Sequence, residues 1–223
     1  MIHLGVHEGL QHLPPLNGVP NLQTLSIAWM FRLEQLPPFD NIQNLRRLVI
    51  SVVPFLKWIP DMTPLRKLEE FTILPGVICC NGFLGPCDLT DYLCEGSLLA
   101  GFPPTECLVN STDPTSPIST FFGSASTKMN FDKFAPTVCE NWSPGAVYID
   151  NTPTKEKIDM CEGKLFRECY LPGNITGICY SMRFQVLSCI FDDSRIALRR
   201  YQIQQDVGPP CDPVDEKWLG CSG

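Results

Sequence analysis

The chain has no cysteine before Cys79, no histidine after His12 and no excess of basic charge, and each absence removes a class of function. Phosphate binding needs a basic face, whereas 17 Lys and Arg against 24 Asp and Glu leave a net charge of -7 and a pI near 4.9. Nucleic acid is therefore disfavoured as a partner, and Arg199-Arg200 is only a local exception. The uncharged run Phe71 to Cys87 is broken by Pro75, Gly76, Asn81, Gly82, Gly85 and Pro86, while a membrane-spanning helix needs about 20 mainly apolar residues. No basic segment leading into an apolar core opens the chain, so no signal peptide is visible.

Catalytic and cofactor motifs are missing too. The sequence holds no G-x-S-x-G, no P-loop and no G-x-G-x-x-G, so hydrolase elbows and nucleotide cradles have no support. His7-Glu-Gly-Leu-Gln-His12 superficially resembles a zinc-protease motif, but its histidines are at i and i+5, about 140° apart on a helix, where i and i+4 are required. The cysteines never adopt C-x2-C or C-x4-C spacing, and His3, His7 and His12 lie far from them, which argues against zinc. The carboxylate pairs Asp192-Asp193 and Asp215-Glu216 sit at turn and tail positions and read as solvated charge. The residues therefore point to a protein that is not an enzyme and carries no cofactor and no metal.

What is present is a repeat. A shift of 23 residues aligns Leu22, Leu45 and Leu68, then Leu25, Leu48 and Phe71, then Ile27, Ile50 and Ile73. Further columns are Leu10, Leu33 and Leu56; Leu13, Leu36 and Ile59; Pro14, Pro37 and Pro60; and Val19, Ile42 and Leu65. Ile2 and Leu4 fall in register with Leu25 and Ile27. A proline in every repeat excludes amphipathic helices, and the consensus is a leucine-rich-repeat pattern. Each L-x-L-x-I stretch predicts a short strand with alternate residues inward, and stacking predicts a parallel sheet on a concave side. The first strand starts at Ile2 with nothing before it to cover its apolar side chains, so the sequence predicts that a preceding segment is missing, with any export signal or membrane spans.

The outward strand positions form the candidate protein-binding face: Thr24 and Ser26, Arg47 and Val49, Glu70 and Thr72. Arg47 and Glu70 occupy equivalent positions on adjacent strands and predict a cross-strand ion pair. The remainder of this face is small and neutral.

After residue 75 the chain changes character. Residues 1–75 hold six Lys and Arg and six Asp and Glu, so the entire net charge lies in residues 76–223. All twelve cysteines lie there as well, namely Cys79, Cys80, Cys87, Cys94, Cys107, Cys139, Cys161, Cys169, Cys179, Cys189, Cys211 and Cys221. At about 8 % of that region they predict a disulfide scaffold in an oxidising compartment. Asn110, Asn141 and Asn174 begin N-x-[ST] tripeptides in the same region and are candidate glycan acceptors, Asn141 the poorest because Pro144 follows directly. Residues 109–127, rich in Ser, Thr and Pro, read as a loop, with five cysteines before it and seven after. Both counts are odd, so full pairing requires at least one bridge across it. Beyond the loop, Thr154 to Tyr170 reads as helix, Tyr180 to Phe191 as alternating strand, Asp192-Asp-Ser as a turn, and Arg195 to Gln204 as a returning strand or a helix.

The tail Pro209-Pro-Cys-Asp-Pro-Val-Asp-Glu-Lys-Trp-Leu-Gly-Cys resembles the signature of the WLGC-domain proteins of oomycetes, here Trp218, Leu219, Gly220 and Cys221. Ile178-Cys-Tyr-Ser-Met-Arg-Phe-Gln and the order of repeats before a Cys-rich end also resemble that family. The resemblance implies surface or membrane-associated proteins without an assigned activity, often with spans before the repeats.

The expected architecture is an α/β-type leucine-rich-repeat solenoid of short parallel strands over 1–75, then an irregular disulfide-rich α+β domain over 76–223. The expected function is recognition of a protein ligand at the cell surface or outside the cell. Two alternatives remain. L-x-x-L-P repeats also resemble those of intracellular disease-resistance scaffolds, whose thiols would be reduced, and the Cys-rich part has room for a secreted enzyme or inhibitor.

Overall fold

The computed structural model of the chain describes residues 1–7, 9–74, 76–91, 94–96, 103–108, 124–139, 153–181 and 186–222. They belong to two compact units, Met1–Asn141 and Trp142–Gly223. The change of composition at residue 75 thus falls inside the first unit, where it marks the end of the repeats.

Four parallel strands stack in chain order in the first unit: β1 (Ile2–Gly5), β2 (Thr24–Ala28), β3 (Arg47–Ser51) and β4 (Glu70–Ile73). Their register is the 23-residue period itself, pairing Ile2 with Leu25, Leu25 with Leu48 and Leu48 with Phe71. Leu25, Ile27, Leu48 and Phe71 are fully buried beneath the sheet, and at roughly 2 kcal/mol for each such side chain the columns hold the stack together. Return segments close each turn with short backbone bonds from Leu22, Leu45 and Leu68 to Val19, Ile42 and Leu65. The result is a parallel-strand solenoid of about three turns.

Each of the first three strands ends in a left-handed corner. Val6, Trp29 and Val52, spaced by the same period, have φ of 57°, 57° and 54°. None is glycine, so each corner carries strain of about 1 kcal/mol or more, held in place by its neighbours. The backbone ladder continues through it: Val6 donates to the Ala28 carbonyl and Trp29 to that of Ser51. The fourth position in this column is Pro75, which lies outside the described residues.

Polar ladders also join successive turns, at separations of 23 or 24 residues. Asn41 donates to the Asn17 side chain, Asn44 to the Pro20 carbonyl, Lys67 to the Asn44 side chain and Asn81 to the Lys57 carbonyl, at 2.7–3.1 Å. Asn81 is fully buried and follows α1 (Val77–Cys80), the short helix that replaces the fourth return segment.

A cap closes the β4 end. Ser124 and Thr127, at the start of α2 (Ala125–Lys133), donate through their hydroxyls to Asp61, and Met62 donates to the Thr127 hydroxyl at 2.7 Å. Ser124 also caps the helix by accepting from the Thr127 amide, so residues 124–127 begin a helix although their composition reads as loop. Phe131 and Phe134 pack edge-on against Phe71. Val138 extends the sheet beside Ile73, and Cys139 donates to the Ile73 carbonyl at 3.0 Å.

In the second unit, β5 (Glu168–Leu171), β6 (Ile175–Ser181) and β7 (Leu187–Ile190) form an antiparallel sheet in that order. The helix expected over Thr154 to Tyr170 is shorter, α3 (Lys155–Asp159), and its far end is strand β5. Glu162, Gly163 and Phe166 all have positive φ, a backbone path that a continuous helix excludes. Tyr180 to Phe191 holds parts of two strands, and Asp192 caps α4 (Asp193–Gln204) by accepting from the Arg195 amide at 3.1 Å. The segment Arg195 to Gln204 is therefore helix.

Two outcomes follow in the first unit. Val52→Gly, at a left-handed corner, will leave Tm unchanged or raise stability by up to about 1 kcal/mol, while Val49→Gly in extended strand will cost about 1 kcal/mol; equal losses in thermal unfolding would refute corner strain. Hydrogen bonds from Ser124, then Thr127 and Thr63, hold the Asp61 carboxyl down at about 2 from an ordinary 3.8. Because the folded pKa lies below the unfolded one, this stabilisation is complete above pH 4 and is lost as pH falls toward 2. Hydrogen exchange of α2 will accelerate across that window in the wild type, and Asp61→Asn will exchange fast without a pH step.

Candidate functional site

The outward face of the sheet is built by strand alternation. Thr24, Arg47 and Glu70 form one column, and Ser26, Val49 and Thr72 the next. The Arg47 Nε lies 3.1 Å from the Glu70 carboxylate, the cross-strand pair that the repeat register implies. Beside it Arg46 and Glu69 make a second pair at 3.1 Å. Surface pairs of this kind contribute about 0–1 kcal/mol, but they cancel the charge of the face. Thr24, Ser26, Arg47, Val49 and Glu70 are half-buried, whereas Thr72 is 3 % exposed and withdrawn from the surface. Thr72 lies in β4, the strand to which the cap attaches. His3 joins the Ser26 column and is exposed, a position left out when the face is counted from Thr24. The signal for it was available, because Ile2 and Leu4 align with Leu25 and Ile27 and so carry His3 to the same side.

All twelve cysteines pair. Cys80–Cys94, Cys87–Cys107 and Cys79–Cys139 lie in the first unit, and Cys161–Cys179, Cys169–Cys189 and Cys211–Cys221 in the second. Cys79–Cys139 is the bridge across the Ser/Thr/Pro stretch that the odd counts require. None remains free as a nucleophile or metal ligand. Among the described residues no group of three or more His, Cys, Asp or Glu is placed to hold a metal ion.

The sheet of the second unit is covered on both faces. Gly177 and Cys179 face the clustered cystines, while Ile178 and Tyr180 face Phe166, Ile196 and Leu219. Gly177 is obligatory, since a Cβ there would meet the Ile190 carbonyl at 2.7 Å and the Cys189 sulfur at 3.0 Å.

The tail signature forms a clasp on this core. Trp218 donates from its indole nitrogen to the Phe166 carbonyl at 3.0 Å, and Leu219 is buried. Gly220 closes the 3-10 turn Lys217–Leu219 at φ 100°, and Cys221 is bonded to Cys211. Beneath the clasp lies Arg199, 2 % exposed, with its Nε and one terminal nitrogen on the two Glu216 oxygens at 2.6 and 3.1 Å. Its guanidinium also donates to Gln202 and to the Pro209 carbonyl and rests 4.2 Å from the centre of the Phe166 ring. The Asp212 amide donates to Glu216 at 3.0 Å. The reading of Asp215-Glu216 as solvated charge therefore fails at Glu216, which is 3 % exposed because Arg199, 17 residues distant by helix and loop, folds back onto it. No spacing rule announces such a pair. Each signature residue thus has a structural task.

Of the sequons, Asn110 and Asn141 lie outside the described residues. Asn174 is exposed in the turn between β5 and β6.

A buried pair loses most when one partner is left alone, so Arg199→Met and Glu216→Gln will each lower stability by about 3–5 kcal/mol in denaturant unfolding. The double variant Arg199→Met with Glu216→Leu will recover part of that loss. Additive losses in the double variant would show that the two groups act independently.

No curated protein and no solved structure shows significant similarity to the chain. A family model described as the WLGC domain matches residues 156–222, from within α3 to one residue past the clasp cystine. The chain carries a WLGC domain over those residues.

Proposed function

We propose that the chain is a non-enzymatic recognition or structural module that works at the cell surface or outside the cell. On this reading the solenoid is of the leucine-rich-repeat type and its outward sheet face contacts a protein ligand. The 23-residue register and the recurrent L-x-x-L-P pattern support the repeat type. The observation that carries the reading is the pairing of all twelve cysteines, because cytosolic thiols are kept reduced. Its order, solenoid before WLGC domain, agrees with the oomycete repeat proteins that the sequence resembles.

Apart from Arg47 and Glu70 the half-buried face residues are small, and the two ion pairs, Arg47–Glu70 and Arg46–Glu69, are internally neutral. Such a face suits a partner held by shape and hydrogen bonds more than by charge steering. Among the described residues no helix is long and apolar enough to cross a membrane. Membrane association in this reading comes from the family resemblance alone. The intracellular scaffold with reduced cysteines, and an enzyme or inhibitor in the Cys-rich part, are the competing readings.

Intact mass of the purified protein after thiol alkylation, with and without prior reduction, decides the compartment. Alkylation of the folded protein will add no mass, and after reduction all twelve cysteines will react. Reaction of most thiols in the folded protein before reduction would displace this reading in favour of the scaffold.

A further inference from the structure

The turn between β5 and β6 has a chemistry that neither the clasp nor the sheet face uses. Leu171 pairs with Ile175, so Pro172, Gly173 and Asn174 form the tip. Gly173 and Asn174 have φ of 85° and 59°, and asparagine is among the few residue types that tolerate this region. The Asn174 side chain is exposed, and Thr176, whose hydroxyl completes N-x-[ST], lies two residues on in β6.

The cross-strand partner of Thr176 is Tyr170. Tyr170 is 56 % exposed, a large aromatic ring displayed on an edge strand beside the sequon. Glu168, two residues before it on β5, raises the pKa of the Tyr170 hydroxyl by accepting a hydrogen bond and by its charge. The face of a pyranose with axial C–H groups is apolar, and an aromatic ring carries negative charge on its face, so the two attract when stacked.

We propose that Asn174 is the acceptor of an N-linked glycan whose first sugar packs on the Tyr170 ring beside Thr176. The donor is an oligosaccharide on a lipid pyrophosphate. The Asn174 Nδ2 bonds to the anomeric carbon as the bond from that carbon to the pyrophosphate oxygen breaks. Lipid pyrophosphate leaves with the electron pair, and the amide proton passes to a base of the transferase. The proposal rests on the secretory reading above, and it assigns to Tyr170 a role as the seat of the first sugar.

The test uses the full chain from a eukaryotic secretory host. Peptide mass across Asn174, before and after enzymatic glycan removal, reads occupancy, and thiol alkylation of the same sample reads the disulfides. Wild type and Thr176→Ser will carry the glycan, and Asn174→Gln and Thr176→Ala will not. Glycan removal will lower the wild-type Tm by about 3–5 °C, and Tyr170→Ala will be glycosylated with a Tm insensitive to removal. A bare Asn174 in protein with every disulfide closed overturns the glycan while leaving the secretory reading standing. Free thiols in the folded protein overturn both. An equal Tm loss in wild type and Tyr170→Ala overturns the seat.

Discussion

A parallel strand one turn high has nowhere to bury Leu25 or Ile27 except between the strands on either side, and the first unit is organised around that dependence. Keeping a constant 23-residue step puts identical demands on every turn, which is why corners, return bonds and amide ladders recur together. The strain at Val6, Trp29 and Val52 is tolerated because the hydrogen-bond ladder runs through each corner to the next turn. The same dependence makes the last strand the weak point. Phe71 has β3 on one side, and the cap supplies the other with Phe131, Phe134 and the Thr137 hydroxyl on the Phe71 carbonyl.

The second unit meets a different shortage. Its three strands are short, and its apolar cluster consists of a few residues around Ile178 and Tyr180. Three cystines supplement that core, closing sequence separations of 18, 20 and 10 residues, each of which restricts the unfolded chain by a few kcal/mol. Arg199 supplies the remaining order. A buried guanidinium with nearly all its donors engaged has one compatible arrangement of the α4 end, the Pro209-Pro210 carbonyls and the clasp, so it fixes geometry more than it adds stability.

Strand positions were legible in the sequence because a solenoid repeats its burial pattern in register, and the aligned columns became hydrogen-bonded pairs. Other columns escaped notice where the residue type drifts. Leu16, Phe39 and Met62 are all buried at the same spacing, but three different side chains do not announce a column. The face was legible in outline, including the Arg47–Glu70 pair, while the burial of Thr72, on the strand that the cap joins, had no signal in the repeat. In the second unit the tail could be recognised as a signature, yet its physical content was hidden. Arg199 and Glu216 are separated in sequence by 17 residues with no period linking them, and only the fold brings them together.

The adjacent cysteines Cys79 and Cys80 have different partners, Cys139 and Cys94. As the chain is made from its N-terminus, Cys94 is available long before Cys139, and for that interval both neighbours compete for it. The two possible rings differ by a single residue, so ring-closure entropy does not discriminate between them. The choice must come from structure already in place. Cys80 is buried at the end of α1, next to Asn81, whose amide is tied to the Lys57 carbonyl one turn earlier. The non-covalent stack therefore acts as the template for its own oxidation, and a nascent chain whose third turn is misaligned would be expected to lock the wrong sulfur and need exchange to escape.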